Sequence, residues 1–364
     1  MRFGVDAPCV LPLATGPVHT CGGSGLASID THRASRQTTA PPVVIWRDVR
    51  VRDGVGRGGE PGRTAFACEP DTVPAVSGQL RLLTVHAHPD DEASKGAATI
   101  GRYVQEGVEA TLVCCTGGEA GDILNPAMDR PEVKENMAAV RRAELDASAE
   151  AIGFREVVML GYRDSGMPDS PENADPRCFA KAPEDEAVGR LVAIIRRVRP
   201  HVILTYGDEQ SGYPHPDHLR VHDISIIAWD AAGDPDRFPE AGEPWTPSKL
   251  YYSSWARARF TALHEAFLAN DLESPFDQKW FDRPSHDEKI TTRIDITGYY
   301  PVRSAALRAH ATQIDPDEKF WFGLPDDVAE AAYPFEDFEL AGSRVPTETP
   351  EDDLFAGLRQ EVAR

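Results

Sequence analysis

Two short segments of the chain carry histidine and aspartate side chains at spacings that suit a metal ion. In the first, His88 and Asp91 lie three residues apart, and Pro89 between them stiffens the turn by fixing its φ angle. The second, much later in the chain, offers His218. Two imidazoles and one carboxylate leave coordination positions open for water and substrate, as a catalytic zinc site requires. We therefore predict that His88, Asp91 and His218 bind one divalent metal ion.

The side chains beside these ligands are of the types that hydrolysis uses. A metal-bound water loses a proton near neutral pH, and Asp90 is placed to take it. His215 could protonate a leaving amine or stabilise an oxyanion, and Tyr213 could donate its hydroxyl to that oxyanion. The alternative is that Tyr213 and His215 only pack the loop. Asp217 and Glu92 are suited to hold an imidazole N–H in place.

Two other classes of protein stay open at this point. The same ligand types suit Fe(II) as well as zinc, so the residues alone do not choose the metal. An iron oxygenase would need a second co-substrate site, and a free carboxylate beside the ligands suits hydrolysis better. A sugar-binding protein that retains the metal without turnover is the other alternative. Replacement of Asp90 would separate that protein from an enzyme.

Four further residues are weaker candidates for the site. Asp164 lies on a loop after a short predicted strand. Arg141 or Arg142, on a long predicted helix, could reach substrate hydroxyls, although an exposed ion pair is the commoner role for such arginines. His310 could belong to the site or be structural.

The elements around the two segments predict where they meet. Each segment follows an apolar run typical of a buried strand, over residues 80–85 and 202–206. Further strands are predicted over 110–115 and 157–160, and helices over 94–106, 132–152, 185–198 and 218–231. This alternation is typical of βαβ units. We therefore predict an α/β fold, a Rossmann-like, mostly parallel sheet with helices on both faces, with the site at the carboxyl ends of its strands.

The two ends of the chain differ from this pattern. From residue 245 the pattern is less regular, with strands predicted over 250–255 and 290–296 and a helix over 303–312. We place one catalytic domain over residues 77–364. Residues 1–76 contain no lysine but ten glycines and eight prolines, a linker-like composition. We expect a disordered or weakly ordered N-terminal extension there, from translated upstream sequence or, less favoured, a regulatory or targeting tail.

The composition limits the partners. A net charge of −21 argues against nucleic acid and anionic membranes. The chain lacks the run of roughly eighteen apolar residues that a membrane-spanning helix needs. We expect a cytoplasmic protein acting on a small molecule, with a homo-oligomer left open. The cysteines show no paired spacing for a thiolate metal site, and Cys114 and Cys115 lie in an apolar run as expected for buried free thiols.

The two segments resemble those of a known family. The strand followed by His-Ala-His-Pro-Asp-Asp-Glu (86–92), together with Pro-His-Pro-Asp-His (214–218), is similar to the LmbE-like superfamily of zinc-dependent N-deacetylases and amidases. The resemblance covers residues 79–358. Segment 123–129 and Lys95 favour the amidases that act on mycothiol S-conjugates over the deacetylases of mycothiol biosynthesis. Ala120 and Asp122 depart from the basic and glutamate residues usual in the family, which affects this loop rather than the metal ligands.

The resemblance also implies roles for particular residues. It implies zinc on His88, Asp91 and His218, Asp90 as general base, Tyr213 and His215 as transition-state stabilisers, Arg141 and Asp164 as contacts of the glucosaminyl-inositol part, and Lys95 as a determinant of substrate preference. The implied reaction cleaves the amide bond of a mycothiol S-conjugate into a mercapturic acid and glucosaminyl-inositol. The implied alternative removes acetate from N-acetylglucosaminyl-inositol.

Overall fold

A computed structural model describes residues 78–208 and 213–359. The predicted N-terminal extension and the predicted domain boundary at residue 77 lie outside these residues. The described chain forms one seven-stranded sheet, made of β1 (Arg81–His86), β2 (Glu109–Thr116), β3 (Glu156–Tyr162), β4 (Val202–Tyr206), β5 (Lys249–Ser254), β6 (Thr292–Asp295) and β7 (Phe335–Ser343). The strand order across the sheet is β3-β2-β1-β4-β5-β7-β6.

Helices connect and cover these strands. They are α1 (Asp91–Ser94), α2 (Ala97–Gln105), α3 (Pro131–Glu135), α4 (Met137–Ile152), α5 (Pro171–Ala174), α6 (Glu184–Val198), α7 (Pro216–Ala231), α8 (Arg257–Ala269), α9 (Gln278–Phe281), α10 (Tyr300–Ala309), α11 (Lys319–Phe322) and α12 (Asp326–Ala332). None of these helices is both long and apolar enough to cross a membrane.

Strand β1 lies between β2 and β4 and is parallel to both. Leu83 pairs with Thr111 on one side and with Ile203 on the other. Strand β4 in turn pairs in parallel with β5. Because parallel strands end at one edge of a sheet, the segments that follow β1 and β4 are brought side by side. This is the edge that the sequence predicted for the site.

The core lies on both faces of the sheet. Successive side chains of a strand point to opposite faces, and Leu82 and Leu83 accordingly join different clusters. Leu83 packs with Leu191 of α6 and Val221 of α7, whereas Leu82 packs with Ile100 of α2. Each of these leucines is fully buried, which contributes roughly 1.5–3 kcal/mol of stability per side chain. The predicted α/β fold with helices on both faces is confirmed.

Two helix predictions are wrong in detail. The helix predicted over 94–106 begins three residues later, at Ala97, because Gly96 before it has a φ of 109°, a conformation that favours glycine and cannot belong to a right-handed helix. The helix predicted over 132–152 is interrupted at Asn136, which separates α3 from α4. The predicted end of that helix at Gly153 is correct, with φ 95°.

The C-terminal part adds an antiparallel edge that the sequence did not predict. Strand β7 pairs antiparallel with both β5 and β6. A buried ion pair joins β5 to the segment that follows β7, because the Lys249 Nζ lies 2.5 Å from Glu351 Oε1. The Tyr251 hydroxyl donates to the other Glu351 oxygen at 2.8 Å. Cys114 and Cys115 are buried and free, as predicted.

We expect Lys249→Met to destabilise the protein by about 3–5 kcal/mol, because Glu351 would keep its charge in the core without its cationic partner. Urea unfolding measures this change as a lower midpoint with an unchanged slope. Lys319→Met is the matched control, since Lys319 pairs with Glu273 at the surface and its loss should change the midpoint little. Equal midpoints for the Lys249→Met variant and the parent would show that the buried pair does not hold this segment.

Candidate metal centre and active site

The ends of β1 and β4 place the two predicted segments next to each other. Strand β1 ends at His86, and α1 begins five residues later at Asp91. Strand β4 ends at Tyr206, and α7 begins at Pro216, with His215 as its N-cap. His88 therefore lies on the turn after β1, and His218 lies in the first turn of α7.

The structure brings His88, Asp91 and His218 together as one buried group. The Asp91 Oδ2 atom lies 3.5 Å from His88 Nδ1 and 3.5 Å from His218 Nε2. Ligand bonds of about 2.0–2.1 Å in a tetrahedral zinc site place the donor atoms roughly 3.3 Å apart. These two distances suit a divalent cation, and the donor atoms of all three residues lie within 4.8 Å of one another.

A second group of donors shares His88 with the first. It consists of His88, Asp164, His215 and Asp217, all buried. The His88 Nε2 hydrogen-bonds with Asp217 Oδ2 at 3.3 Å, and it lies 3.6 Å from Asp164 Oδ1. An imidazole that binds a metal through one nitrogen commonly donates its other N–H to a carboxylate. The carboxylates of the second group therefore suit the role of orienting the His88 ring through its Nε2 atom. The Nδ1 atom of the same ring then faces Asp91.

Asp217 is itself held in place, which supports this division of roles. It accepts hydrogen bonds from the Ser165 backbone N–H at 2.9 Å and from the Ser165 hydroxyl. A carboxylate fixed in this way orients the ring that it contacts. The sequence suggested Asp217 as a partner of one imidazole, and the structure places it against His88.

Asp91 is surrounded by groups that keep it ionised. The Lys95 ammonium lies 2.5 Å from Asp91 Oδ1, and the Tyr206 hydroxyl donates to Oδ2 at 2.7 Å. Burial alone would raise the pKa of Asp91, but Lys95 and the imidazoles of His218 and His88 hold this pKa well below its usual value. The carboxylate is therefore ready to bind a cation. The sequence predicts that Lys95 contacts substrate. In the structure its ammonium contacts Asp91, a candidate metal ligand.

Tyr206→Phe should lower the affinity for zinc by about 10–100-fold, the usual effect of losing a group that orients a metal ligand. The variant keeps the ring but removes the hydroxyl that contacts Asp91 and accepts from the Ala87 N–H at 2.9 Å. Competition with a chromophoric chelator measures the affinity. Tyr162→Phe is the matched control, since its hydroxyl donates to Glu186 instead. Unchanged zinc affinity in Tyr206→Phe would remove Tyr206 from the centre.

Asp90 lies beside this group in an unusual backbone conformation. Its φ is 112°, which is uncommon and costly for a residue with a side chain. The Glu92 Oε2 accepts from the Asp90 backbone N–H at 3.0 Å, and the Arg141 Nη2 lies 3.1 Å from Asp90 Oδ2. Burial raises the pKa of Asp90, and the Arg141 guanidinium opposes that rise. The carboxylate is thus fixed next to the donors without being one of them.

Glu92 connects Asp90 to a buried histidine. Its Oε1 lies 2.5 Å from His310 Nε2 and accepts from the Ser148 hydroxyl at 2.5 Å. Burial opposes the charged form of His310, but the Glu92 carboxylate raises its pKa. Glu92 therefore orients a histidine, as the sequence suggested, and that histidine is His310 rather than a candidate metal ligand.

Tyr213 and His215 lie over the same group of rings. The Tyr213 ring centroid is 5.8 Å from that of His215 and 5.5 Å from that of His218. The His215 Nδ1 accepts from the Asp217 backbone N–H at 3.2 Å, so neutral His215 carries its proton on Nε2. Burial and then the nearby His88 lower the pKa of His215 to about 4. Burial raises the pKa of Tyr213 to about 12, so its hydroxyl stays a donor.

Arg141 and Asp164 are engaged with the protein. Arg141 donates to the Pro89 carbonyl at 2.5 Å and also to the Gly118 carbonyl. A β-carbon at Gly118 would overlap the guanidinium, so glycine is needed there. Asp164 accepts from the backbone N–H groups of Gly166 and Ala120. Arg141 contacts Asp90, and Asp164 belongs to the second group of donors. The contact of both side chains with substrate stays a prediction.

Three residues of the site escaped the sequence analysis. Tyr206 is predicted only as the end of a strand, although a polar group at the carboxyl end of a central strand is a signal for a site. Ser165 and Ser148 gave no signal, because serine on a loop or a helix face is common. Their partners Asp217 and Glu92 are distant in sequence, and only the folded chain joins them.

Comparisons with known proteins agree with this geometry. Residues 83–229 match the family model described as PIG-L, GlcNAc-PI de-N-acetylase. The chain is 45% identical over 300 residues to the mycothiol S-conjugate amidase of Streptomyces coelicolor, which covers 79% of this chain and 100% of that protein. It is 42% identical over 291 residues to a 1D-myo-inositol 2-acetamido-2-deoxy-alpha-D-glucopyranoside deacetylase of Geodermatophilus obscurus, covering 76% of this chain and 98% of that protein.

The fold, the buried histidine–aspartate group and these relatives define a metal-dependent amide hydrolase. The chain belongs to the PIG-L family, which confirms the resemblance to the LmbE-like superfamily. Among solved structures, the N,N'-diacetylchitobiose deacetylase of Pyrococcus horikoshii has the same fold, with a TM-score of 0.50 and 21% identity. That likeness covers 74% of this chain and 86% of the deacetylase.

Proposed function

We propose that this enzyme hydrolyses the amide bond of mycothiol S-conjugates, giving a mercapturic acid and glucosaminyl-inositol in thiol-dependent detoxification. The observation that carries the proposal is the 45% identity to the Streptomyces coelicolor amidase over the whole length of that protein. The second candidate is deacetylation of N-acetylglucosaminyl-inositol, favoured by the 42% identity to the Geodermatophilus obscurus deacetylase. Both reactions break an amide bond at glucosaminyl-inositol, and they differ in the acyl group.

His88, Asp91 and His218 would hold the metal, which we propose to be zinc, with Fe(II) as the alternative. Their donor types, burial and spacing fit such an ion. A bound divalent cation would polarise the scissile carbonyl and lower the pKa of water.

Asp90 acts as the base in this proposal. Arg141 contacts its Oδ2 atom, which leaves Oδ1 to accept a proton from the attacking water. The new C–O bond then forms at the amide carbon, and the C–N bond breaks after the amine nitrogen is protonated. Asp90 can return its proton to that nitrogen, so one side chain serves both steps.

Tyr213 and His215 stabilise the oxyanion by donating hydrogen bonds. Each donor fixed in this way contributes a large part of the catalytic effect in other acyl-transfer enzymes. The His215 Nδ1 already accepts from the Asp217 N–H, so His215 offers Nε2–H as a neutral donor. This geometry favours Asp90 over His215 as the acid for the leaving amine.

Arg141, Asp164 and Lys95 are proposed as substrate contacts. Lys95 keeps part of its side chain exposed, so it can meet the acyl part while its ammonium contacts Asp91. Arg141 is almost fully buried. It would donate hydrogen bonds to substrate from the guanidinium N–H groups that do not already bond to Gly118, Pro89 and Asp90. We further propose that residues 77–364 form the catalytic domain and that residues 1–76 are an extension to it.

The decisive experiment compares kcat/KM of the zinc-loaded full chain on two substrates. One is the bimane-labelled mycothiol conjugate, and the other is N-acetylglucosaminyl-inositol. We expect at least tenfold higher kcat/KM on the conjugate. Faster release of acetate from the sugar would replace the amidase proposal with the deacetylase. The Asp90→Asn protein, prepared in parallel, controls for contaminating hydrolases.

A further inference from the structure

Three buried side chains next to the proposed general base have no role in the reaction described above. They are Glu92 on α1, Ser148 on α4 and His310 at the end of α10. All three are fully buried. Because polar side chains buried this completely need hydrogen-bond partners inside the protein, their contacts show what they hold in place.

The Glu92 carboxylate joins the other two side chains to the backbone of Asp90. Its Oε2 atom accepts from the Asp90 backbone N–H at 3.0 Å. Its Oε1 atom accepts from the Ser148 hydroxyl at 2.5 Å and from His310 Nε2 at 2.5 Å. Hydrogen bonds to an ionised carboxylate are roughly twice as strong as neutral ones. Ser148 and His310 therefore fix one oxygen of Glu92 while the other oxygen holds Asp90.

The backbone of Asp90 needs such support. Its φ of 112° and ψ of −24° are costly for a residue with a β-carbon, and such a conformation persists only where the surroundings enforce it. Helix α1, which follows, is only four residues long and is too short to be stable by itself. Arg141 holds the Asp90 Oδ2 atom and the Pro89 carbonyl, whereas Glu92 holds the Asp90 N–H. The direction of the Asp90 carboxylate therefore depends on Glu92 as well as on Arg141.

The backbone of His310 is anchored by contacts of its own. Its N–H donates to the Leu307 carbonyl at 3.2 Å, and its carbonyl accepts from the N–H groups of Gln313 at 3.0 Å and Ile314 at 2.8 Å. Helix α10, which ends just before His310, packs against α1, α2 and α4. The ring that contacts Glu92 is thus attached to a fixed part of the fold, as a side chain that positions another one requires.

We propose that His310, together with Ser148, positions the general base through Glu92. This inference rests on the proposed function, because it requires Asp90 to be the base. His310 and Ser148 donate to Glu92, Glu92 accepts from the Asp90 N–H, and the Asp90 carboxylate is thereby held towards the attacking water. Because a small misplacement of a reacting group costs much of the rate, His310 is a positioning residue for proton transfer. The alternative is that the pair of Glu92 and His310 only joins α10 to α1, and its loss would then lower stability and leave kcat unchanged.

The test compares His310→Met with His310→Gln in the zinc-loaded full chain. The two new side chains have nearly the same shape, but only glutamine can donate to Glu92. On whichever of the two substrates above the parent cleaves faster, kcat of His310→Met should fall by about 10–100-fold, the loss expected for a slightly misplaced base. His310→Gln should recover at least half of that loss on a logarithmic scale. KM and zinc affinity should stay within about threefold of the parent values, because the bond that is lost goes to Glu92.

A second comparison repeats His310→Met in the Asp90→Asn protein, which has no base left to position. There the substitution should lower kcat by no more than about twofold, because residues that act through one group are not additive. An equal loss of kcat with and without Asp90 would show that His310 supports the whole site, and would overturn the positioning role. His201→Met is the matched control, since the His201 ring accepts from the Arg81 backbone N–H at the start of β1, and its kcat should equal that of the parent.

The outcomes separate the positioning role from the proposed function. A parent that cleaves neither substrate would overturn the proposed function, and the positioning role with it. An active parent combined with an unchanged kcat in folded His310→Met would overturn the positioning role alone, and so would a loss of zinc affinity as large as the loss of kcat. If His310→Met does not fold, Ser148→Ala decides, because it removes only one hydroxyl from Glu92. Its kcat should fall by about 2–10-fold, the effect of one neutral hydrogen bond, and a parental kcat would overturn the proposal.

Discussion

Replacing Asp90 with asparagine should lower kcat by about 10²–10⁴-fold, the usual contribution of a general acid–base group. Asparagine has nearly the same shape and can still accept from Arg141, but it cannot take a proton from water. The metal should stay bound, because Asp90 contacts Arg141 and Glu92 rather than joining His88, Asp91 and His218. Steady-state kinetics combined with metal analysis of the purified variant measure both effects.

The control for this variant is Asp146→Asn, which changes an exposed carboxylate paired with Arg142 on α4. Its kcat should equal that of the parent. If Asp90→Asn keeps the kcat of the parent, Asp90 is not the general base. Another group must then take the proton from the attacking water. If the variant loses both metal and activity, Asp90 is a metal ligand and not the general base.

Replacing His218 with alanine should lower zinc affinity by more than the ~100-fold that the loss of an orienting partner causes. The substitution removes one of three donor atoms and leaves Asp91 Oδ2 facing only His88 and its orienting groups. Activity should fall to the level of the chelator-treated parent. In addition, zinc binds the folded chain, so zinc at about 100 times its Kd should stabilise the parent by about 2.7 kcal/mol. The variant should lose this stabilisation.

Zinc titration by calorimetry and thermal unfolding with and without zinc measure these changes. His264→Ala is the matched control, since His264 lies on α8 and its imidazole hydrogen-bonds with the Ser274 hydroxyl. A His218→Ala protein that binds zinc as tightly as the parent would favour the second donor group as the metal site. Asp217→Asn would then be the variant expected to lose the metal, because Asp217 belongs only to that group.

The sequence predicted the centre of the fold and its functional edge well. Strands β1 and β4 are short apolar runs, and their burial on both faces leaves little choice of secondary structure. The polar segment after each run then marks the carboxyl edge of the sheet. The meeting of His88, Asp91 and His218 follows from these two strands being neighbours.

The sequence could not predict contacts that depend on distant packing. The bond between Glu92 and His310 requires α10 to lie against α1 and α4, and no local pattern carries that information. Strand β7 begins Phe-Glu-Asp-Phe-Glu, where acidic residues mask the strand pattern. Two of those acids, Glu336 and Asp337, are buried because Thr99, Arg293 and Tyr333 provide donors. Tertiary partners therefore override the propensity of these residues.

The single ring of His88 limits how many cations this centre can hold. One nitrogen faces Asp91 and the other is hydrogen-bonded to Asp217. An imidazole bridging two ions would have to give up both of its N–H protons and become an anion. Among the donors of residues 78–208 and 213–359, the two groups that could bind a metal have this ring in common. Binding at this centre should consequently stop at one equivalent of metal, even when the metal is supplied in excess.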